Sequence, residues 1–330
     1  MTPHESLIIW AVDPTQDPSD ARRIVQELKT WAERLGCQVQ PVSMLSRADI
    51  ERSDGLAFTW KRNLEQMVRE ALARIVKVTH TERFLSPILL EVSAETHREM
   101  AFEMAKYAEE RMAQLIFVNT LAKRTWNPFR LGGFAETLVA ISSVPVLVMN
   151  PAAQPTTQIS SILFPTNFSR SSRKALSLLK PWARAFGANV ILYNQVEIPD
   201  VYPAGFDGLW PAHAYSIDPV RRETEQVRRR RATRWADVLT RDGVNTTVLI
   251  DWQRKYLGAE IIDAAKARAV DLIALSGWSR PLAQSLLGSA VRDVILQAEC
   301  PVLVFHRPDQ IEKLQHRIEV QHGKSSHLSP

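Results

Sequence analysis

Short, continuously apolar runs alternate along this chain with longer stretches in which apolar residues recur every three or four positions. The first run, residues 6–13, is apolar nearly throughout and ends on Asp13, the pattern of a parallel strand buried on both faces. Pro14 and Pro18 then mark a loop and Ser19-Asp20 offer a helix cap. Residues 21–35 place Ile24, Leu28, Trp31 and Leu35 at helical spacing before a stop at Gly36. The same reading predicts strands at 38–44, 87–92, 113–118 and 144–149. It predicts helical stretches at 46–78 (broken at Asp54-Gly55), 93–112, and from Gly132-Gly133 onward.

After a Pro/Thr/Gln linker at 151–157 the pattern restarts. Strands are expected at 160–166, 188–196, 245–250, 272–275 and 301–305, and helices at 169–186, 218–241, 260–269 and 289–298. Strands alternating with helices imply an α/β fold with a parallel sheet covered on both faces. The stretch 131–150, LGGFAETLVAISSVPVLVMN, aligns without a gap to 287–306, LGSAVRDVILQAECPVLVFH. A glycine at a helix entry, followed at a fixed distance by Pro-Val-Leu-Val, thus occurs twice. One domain type is used two times: residues 1–150 and 158–306, each a five-stranded, Rossmann-like parallel-sheet sandwich. Residues 307–330 form a polar tail, helical in pattern at 310–319 and expected to be disordered from 323.

The length of 330 residues accommodates two such domains, and 45% hydrophobic with 23% charged residues is ordinary for a soluble globular protein. No apolar run reaches the roughly 18 residues of a membrane span, and the first residues carry no basic and apolar pattern of a secretory signal. Two cysteines, Cys37 and Cys300, fall in different repeats. They form no disulfide framework and fit a reducing cytoplasm; each reads as a small buried hydrophobe. The eight histidines are scattered without ligand-like spacing, so no metal site is expected. No nucleophile elbow, Walker sequence or Cys-His signature is present.

Phe164-Pro165-Thr166-Asn167-Phe168-Ser169 before a helix, Asp271-Leu272-Ile273-Ala274-Leu275, Leu287-Gly288-Ser289 and Cys300-Pro301-Val302-Leu303-Val304 resemble the universal stress protein family. Through the repeat the resemblance extends to both halves, which makes the chain similar to a tandem universal stress protein. It implies a stress-response module, a nucleotide-binding type of α/β fold, and ATP as the candidate cofactor, since many members bind ATP and others bind no nucleotide. In the ATP-binding class an Asp after strand one meets the adenosine, and a loop G-x2-G-x9-G-[S/T] after strand four holds phosphates and ribose. In the first half the Asp falls at Asp13, and the loop has Asn119 and Ala122 for its first two glycines, then Gly132, then Gly133 in place of Ser/Thr. In the second half Asn167 replaces the Asp. The loop there is one residue shorter, with Ser276 or Gly277 and then Ser279 in the glycine places, followed by an intact Gly288-Ser289. Neither half carries the whole motif. Family members also dimerise through their final strands, here 145–149 and 301–305. The resemblance therefore implies pairing of the two domains within the chain, with further homodimerisation left open.

Phosphate is held by backbone N–H groups at a helix N-terminus, and glycines let the backbone come close. Asn119 and Ala122 weaken such a cradle in the first half, where Lys123 and Arg124 offer charge but Trp126 and Phe129 are bulky. Gly277, Ser279, Arg280, Gly288 and Ser289 retain small residues and one cation in the second. The alternative is that both glycine entries are tight turns serving only the packing of helix on sheet. Asp13 and Asn167 lie at strand C-termini, where open α/β sheets place ligands, or else they cap helices. The helical stretch around Arg228-Arg229-Arg230-Arg231 reads as a solvated face, with a phosphate-rich or acidic partner as the sharper alternative. No nucleic-acid motif accompanies it, so no nucleic-acid partner is expected. The loop 199–215, with Tyr202, Phe206, Trp210 and Tyr215, reads as a lid, an interface element, or a loop packed on its own domain. The whole fits a ligand-sensing or scaffold module with degenerate nucleotide sites and an unidentified protein client. The alternatives are an ATP-binding protein with at most slow hydrolysis and a nucleotide-free interaction module.

Overall fold

The structure is a computed structural model. It describes residues 6–13, 18–46, 82–94, 96–120, 133–196, 218–252, 256–277 and 288–305, together with Gln66, Glu70, Ala73 and Arg74. In chain order the elements are β1 (Leu7–Ala11), α1 (Pro18–Leu35), β2 (Gln38–Ser46), β3 (Ile88–Val92), α2 (His97–Glu110), β4 (Leu115–Asn119), α3 (Gly133–Ile141) and β5 (Val146–Met149). The second half follows with β6 (Ser161–Pro165), α4 (Arg170–Phe186), β7 (Asn189–Val196), α5 (Asp218–Arg241), β8 (Thr246–Trp252), α6 (Leu257–Ala267), β9 (Leu272–Ser276), α7 (Ser289–Gln297) and β10 (Val302–Phe305). Every strand expected from the apolar runs is present, each within a residue or two of its expected bounds. Ser46, expected to start a helix, closes β2 instead; the rest of that expected helical stretch (47–78), the loops 199–215 and 278–287, most of the loop after Asn119 (121–132) and the tail from 306 lie outside the described residues, apart from the four isolated helical positions.

All ten strands join in one sheet, in the order β3-β2-β1-β4-β5-β10-β9-β6-β7-β8. Each half is a five-stranded parallel sheet with the same internal order. The halves meet where β5 and β10 run antiparallel, with Val148 opposite Val302, Leu147 opposite Leu303 and Val146 opposite Val304. The two Pro-Val-Leu-Val copies are therefore the seam of the molecule. Their alternating side chains feed opposite faces. Leu147, Leu303 and Phe305 pack with α1, α4 and α5 in one core, whereas Val146, Val148, Val302 and Val304 pack with α2, α3, α6 and α7 in the other. Both cores draw on both halves.

The helices form where an apolar stripe meets a terminator. In α1, Ile24, Leu28 and Trp31 are fully or almost fully buried, and the chain leaves at Gly36 in the left-handed region (φ 65°) that glycine enters without a Cβ penalty. In α4, Ser169 caps the first turn through the Ser172 amide, and Gly187 (φ 66°) ends the helix by donating to Ala183 and Arg184 carbonyls. Across the seam, Trp31 of α1 meets Trp182 and Phe186 of α4 edge-on, with ring centroids 5.7 and 5.0 Å apart.

Candidate functional site

A sheet in which strand one lies between strands two and four reverses its winding between strands one and four, and ligands in such folds collect outside the strand C-termini at that point. In the first half the reversal lies between β1 and β4, where Ala11 is in register with Val118. Asp13, two residues past β1, and Asn119, at the end of β4, therefore leave neighbouring strand ends. The crevice that Asn119 lines with Asp20, Arg23, Met149 and Asn150 encloses about 10 Å³, room for about one water. The Thr120 N–H beside it is spent on the Met149 carbonyl (3.1 Å). Gly133 opens α3 and is exposed. Among the described residues, an added Cβ would meet the Cβ of His97, at 3.9 Å, and its φ is not positive. Among the described residues, neither packing nor a positive φ requires a glycine at position 133 itself. Ala122 and Gly132 lie outside the described residues.

In the second half the reversal lies between β6 and β9. Asn167, past the end of β6, turns its Oδ1 back onto the chain. It accepts from the Ser169 amide at 3.0 Å and the Ser172 hydroxyl at 3.1 Å. Ser169, not Asn167, is the capping residue; Asn167 steadies that cap from outside the helix. The Gly277 N–H donates to the Phe305 carbonyl at 2.9 Å and so continues the sheet. Register places Ser276 opposite Phe305 as Asn119 is opposite Met149, so Ser276 is the structural counterpart of Asn119. Gly288 is the N-cap of α7 in an ordinary extended conformation (φ −62°, ψ 144°), with no side chain to cap the first turn. Exposed Ser289 begins the helix. Ser279 and Arg280 lie outside the described residues.

Register also makes Ser43 of β2 and Asn194 of β7 equivalent, each one residue past the partner of the last residue of strand one. Both are buried, and the Ser43 Oγ and Asn194 Oδ1 have no hydrogen-bond partner among the described residues. The Asn194 Nδ2 donates to the Thr166 carbonyl at 2.7 Å, which ties this amide to the chain just past β6. A polar residue at the same position of β2 and β7 was the available signal for this pair.

A second group missing from the sequence reading sits at the linker. The side chain of Asn150 is satisfied on both ends. Its Oδ1 accepts the Ala152 and Ala153 amides, and its Nδ2 donates to the Ile295 and Ala298 carbonyls at 3.0 and 2.7 Å. It therefore caps α7 from the other half. Glu27, fully buried in α1, accepts from the Trp31 indole N–H (2.8 Å) and the Thr156 amide (2.6 Å), and the Thr156 hydroxyl lies 3.1 Å from both its oxygens. Thr30 donates to the Thr156 carbonyl at 2.8 Å, and Arg23 holds the Ala153 carbonyl. Burial lifts the Glu27 carboxyl to about 7 against the lowering effect of these donors, with Asp271 adding to the rise. A carboxylate within the apolar stripe Ile24-Leu28-Trp31 was the signal for it. Cys37 is buried as expected, whereas Cys300 is half-buried, because it faces a surface hollow shared with Lys266 and Glu299. Burial raises the Cys37 thiol to about 11 and the Cys300 thiol to about 12, so neither is a nucleophile at neutral pH. Among the described residues, no helix is long and apolar enough to cross a membrane.

Comparison with known proteins follows the same division of the chain. Residues 159–306 match the model of the universal stress protein family. No curated protein matches the chain. Among solved structures, a universal stress protein from Archaeoglobus fulgidus DSM 4304 is 16% identical with a TM-score of 0.59, the match covering 93% of this chain and 98% of that one. A protein from Pseudomonas aeruginosa UCBPP-PA14, described as of the same family, is 15% identical with a TM-score of 0.56, covering 94% and 96%. A protein of unknown function from Pseudomonas aeruginosa PAO1 is 13% identical with a TM-score of 0.57, covering 94% and 96%. The second half thus carries the sequence signature of the universal stress protein family, and the fold of that family extends over both halves of the chain.

Proposed function

We propose that the protein is a tandem universal stress protein that acts as a ligand-sensing and scaffold module in a stress response, with degenerate nucleotide sites in both halves, rather than as a catalyst. The observation that carries this reading is the commitment of the second-half strand-end groups to the fold. Asn167 spends its carbonyl on the entry to α4, and Gly277 spends its N–H on β10. A phosphate or ribose would have to displace bonds that the fold already uses. Pairing of β5 with β10 takes up within one chain the strand edges through which a homodimer would form, and the two free thiols fit a cytoplasmic protein. The open acceptor on Asn194 and the uncapped first turn of α7 favour the second reading, an ATP-binding protein with slow or no hydrolysis.

Denaturing the purified protein and assaying the supernatant for adenine nucleotide tests the choice. The proposal predicts none above the level of a blank. Stoichiometric release, lost in Gly288→Val but kept in Gly132→Val, would establish the second reading and place the nucleotide in the second half.

A further inference from the structure

Helices α4 and α5 lie side by side over one face of the second-half sheet, and a groove of about 470 Å³ runs between them, within the size range of small-molecule sites. Its rim is cationic: Arg173 and Lys180 from α4, Arg231 and Arg234 from α5. No carboxylate lines it among the described residues. Asp242, outside the lining, engages Lys180, whereas Arg231 and Arg234 have no ion pair among those residues. The arginine run therefore divides by face. Arg229 pairs with Glu225 at 3.0 Å on the outer side, and Arg231 turns to the groove.

The floor is aromatic and aliphatic. Phe168 and Trp235 meet edge to face at 5.3 Å, the Arg173 guanidinium lies 5.6 Å from the Trp235 ring centroid, and Leu176 and Leu239 continue the surface. Phe168 has a φ of 58°, a conformation that costs a bulky side chain about 1–2 kcal/mol. Among the described residues, the other non-glycine residues with positive φ, Met112 and Ala269, follow the ends of α2 and α6, where left-handed geometry terminates helices. Phe168 instead precedes a helix, held there by its amide on the Thr166 hydroxyl at 2.9 Å, and its ring is delivered to the groove. Guanidiniums that have no ion pair among the described residues and gather round an aromatic floor repel one another and are stabilised together by an anion.

We propose that the α4–α5 groove binds a small organic anion, a sulfonate, carboxylate or phosphate ester carried on an aromatic or apolar body, at a site separate from the strand-end crevices. The guanidiniums take the charged group and Phe168, Trp235 and Leu239 take the body. Neither charge nor apolar surface alone suffices.

Fluorescence titration of the full chain with 1-anilinonaphthalene-8-sulfonate, with the uncharged N-phenyl-1-naphthylamine run in parallel, tests this. The expected result is saturable binding of the sulfonate at one site per chain. Affinity should fall about tenfold or more in Arg231→Gln/Arg234→Gln, the loss of one to two charge-assisted hydrogen bonds, with the melting temperature unchanged. Phe168→Gly, which relieves the positive φ and keeps the fold, should weaken binding as well. The uncharged probe should bind at least tenfold more weakly than the sulfonate. Equal affinity of the two probes, unchanged sulfonate affinity in the double variant, or no saturable binding would each overturn the proposal.

Discussion

Glu27 shows how one side chain can make the protein's stability depend on pH. Its carboxyl titrates near 7 when folded, against an ordinary value of 4.5. The folded state thus holds a proton that the unfolded chain releases between those two values. The stabilisation this gives is complete below about pH 4.5 and is lost as pH rises through 7, by about 3 kcal/mol at 1.36 kcal/mol per unit. Thermal melts between pH 5 and 8 should show stability falling to about pH 7 and then levelling, with the fall flattened in Glu27→Gln. An equal slope in the variant would assign the effect to other groups. Glu27→Ala strands the buried Trp31 indole N–H and the Thr156 amide, at about 1–3 kcal/mol for each unsatisfied donor, and should lower the melting temperature at every pH. Such a residue was hard to weigh from sequence, because its partners are four residues away on the helix and across the linker.

At the scale of elements, the contact of α6 with α7 turns on Gly258. A Cβ there would stand 3.0 Å from the Asp293 Cβ and 3.4 Å from the Ala290 Cα. Gly258→Val should destabilise the protein by about 1–3 kcal/mol through overpacking, whereas Gly133→Ala, whose Cβ would make an ordinary contact with His97 at 3.9 Å, should be neutral in a denaturant titration. The reverse order would contradict the packing described. The strands were legible in the sequence because a strand buried on both faces is apolar at successive positions, and Gly36 declared the end of α1. The site was less legible. A motif position reveals which residue is present, not whether its polar atoms are already in use. Asn167 and Gly277 look like ligand-facing residues in sequence and are hydrogen-bonded to their own fold. Asn194, carrying the open acceptor, lies inside a strand where no loop motif points. The Arg228–Arg231 run could be assigned a face only once α4 was seen beside α5.

For the molecule as a whole, the antiparallel seam and two cores that each span both halves predict that the halves unfold together. Scanning calorimetry should show one transition with equal calorimetric and van't Hoff enthalpies, and Asn150→Ala, which removes the cross-half cap of α7, should shift it down without splitting it. Two resolved transitions would mean that the seam does not couple the halves. The functional claim is that this coupled scaffold has a second-half strand-end crevice in which Asn167 and Gly277 serve the fold in place of ATP. Isothermal titration of ATP into the nucleotide-free protein, with magnesium present, measures that claim most directly. The account predicts no saturable heat, corresponding to a Kd weaker than about 1 mM, or less than about 4 kcal/mol of binding free energy. Saturable binding in the micromolar range, at one or two sites per chain, would contradict it.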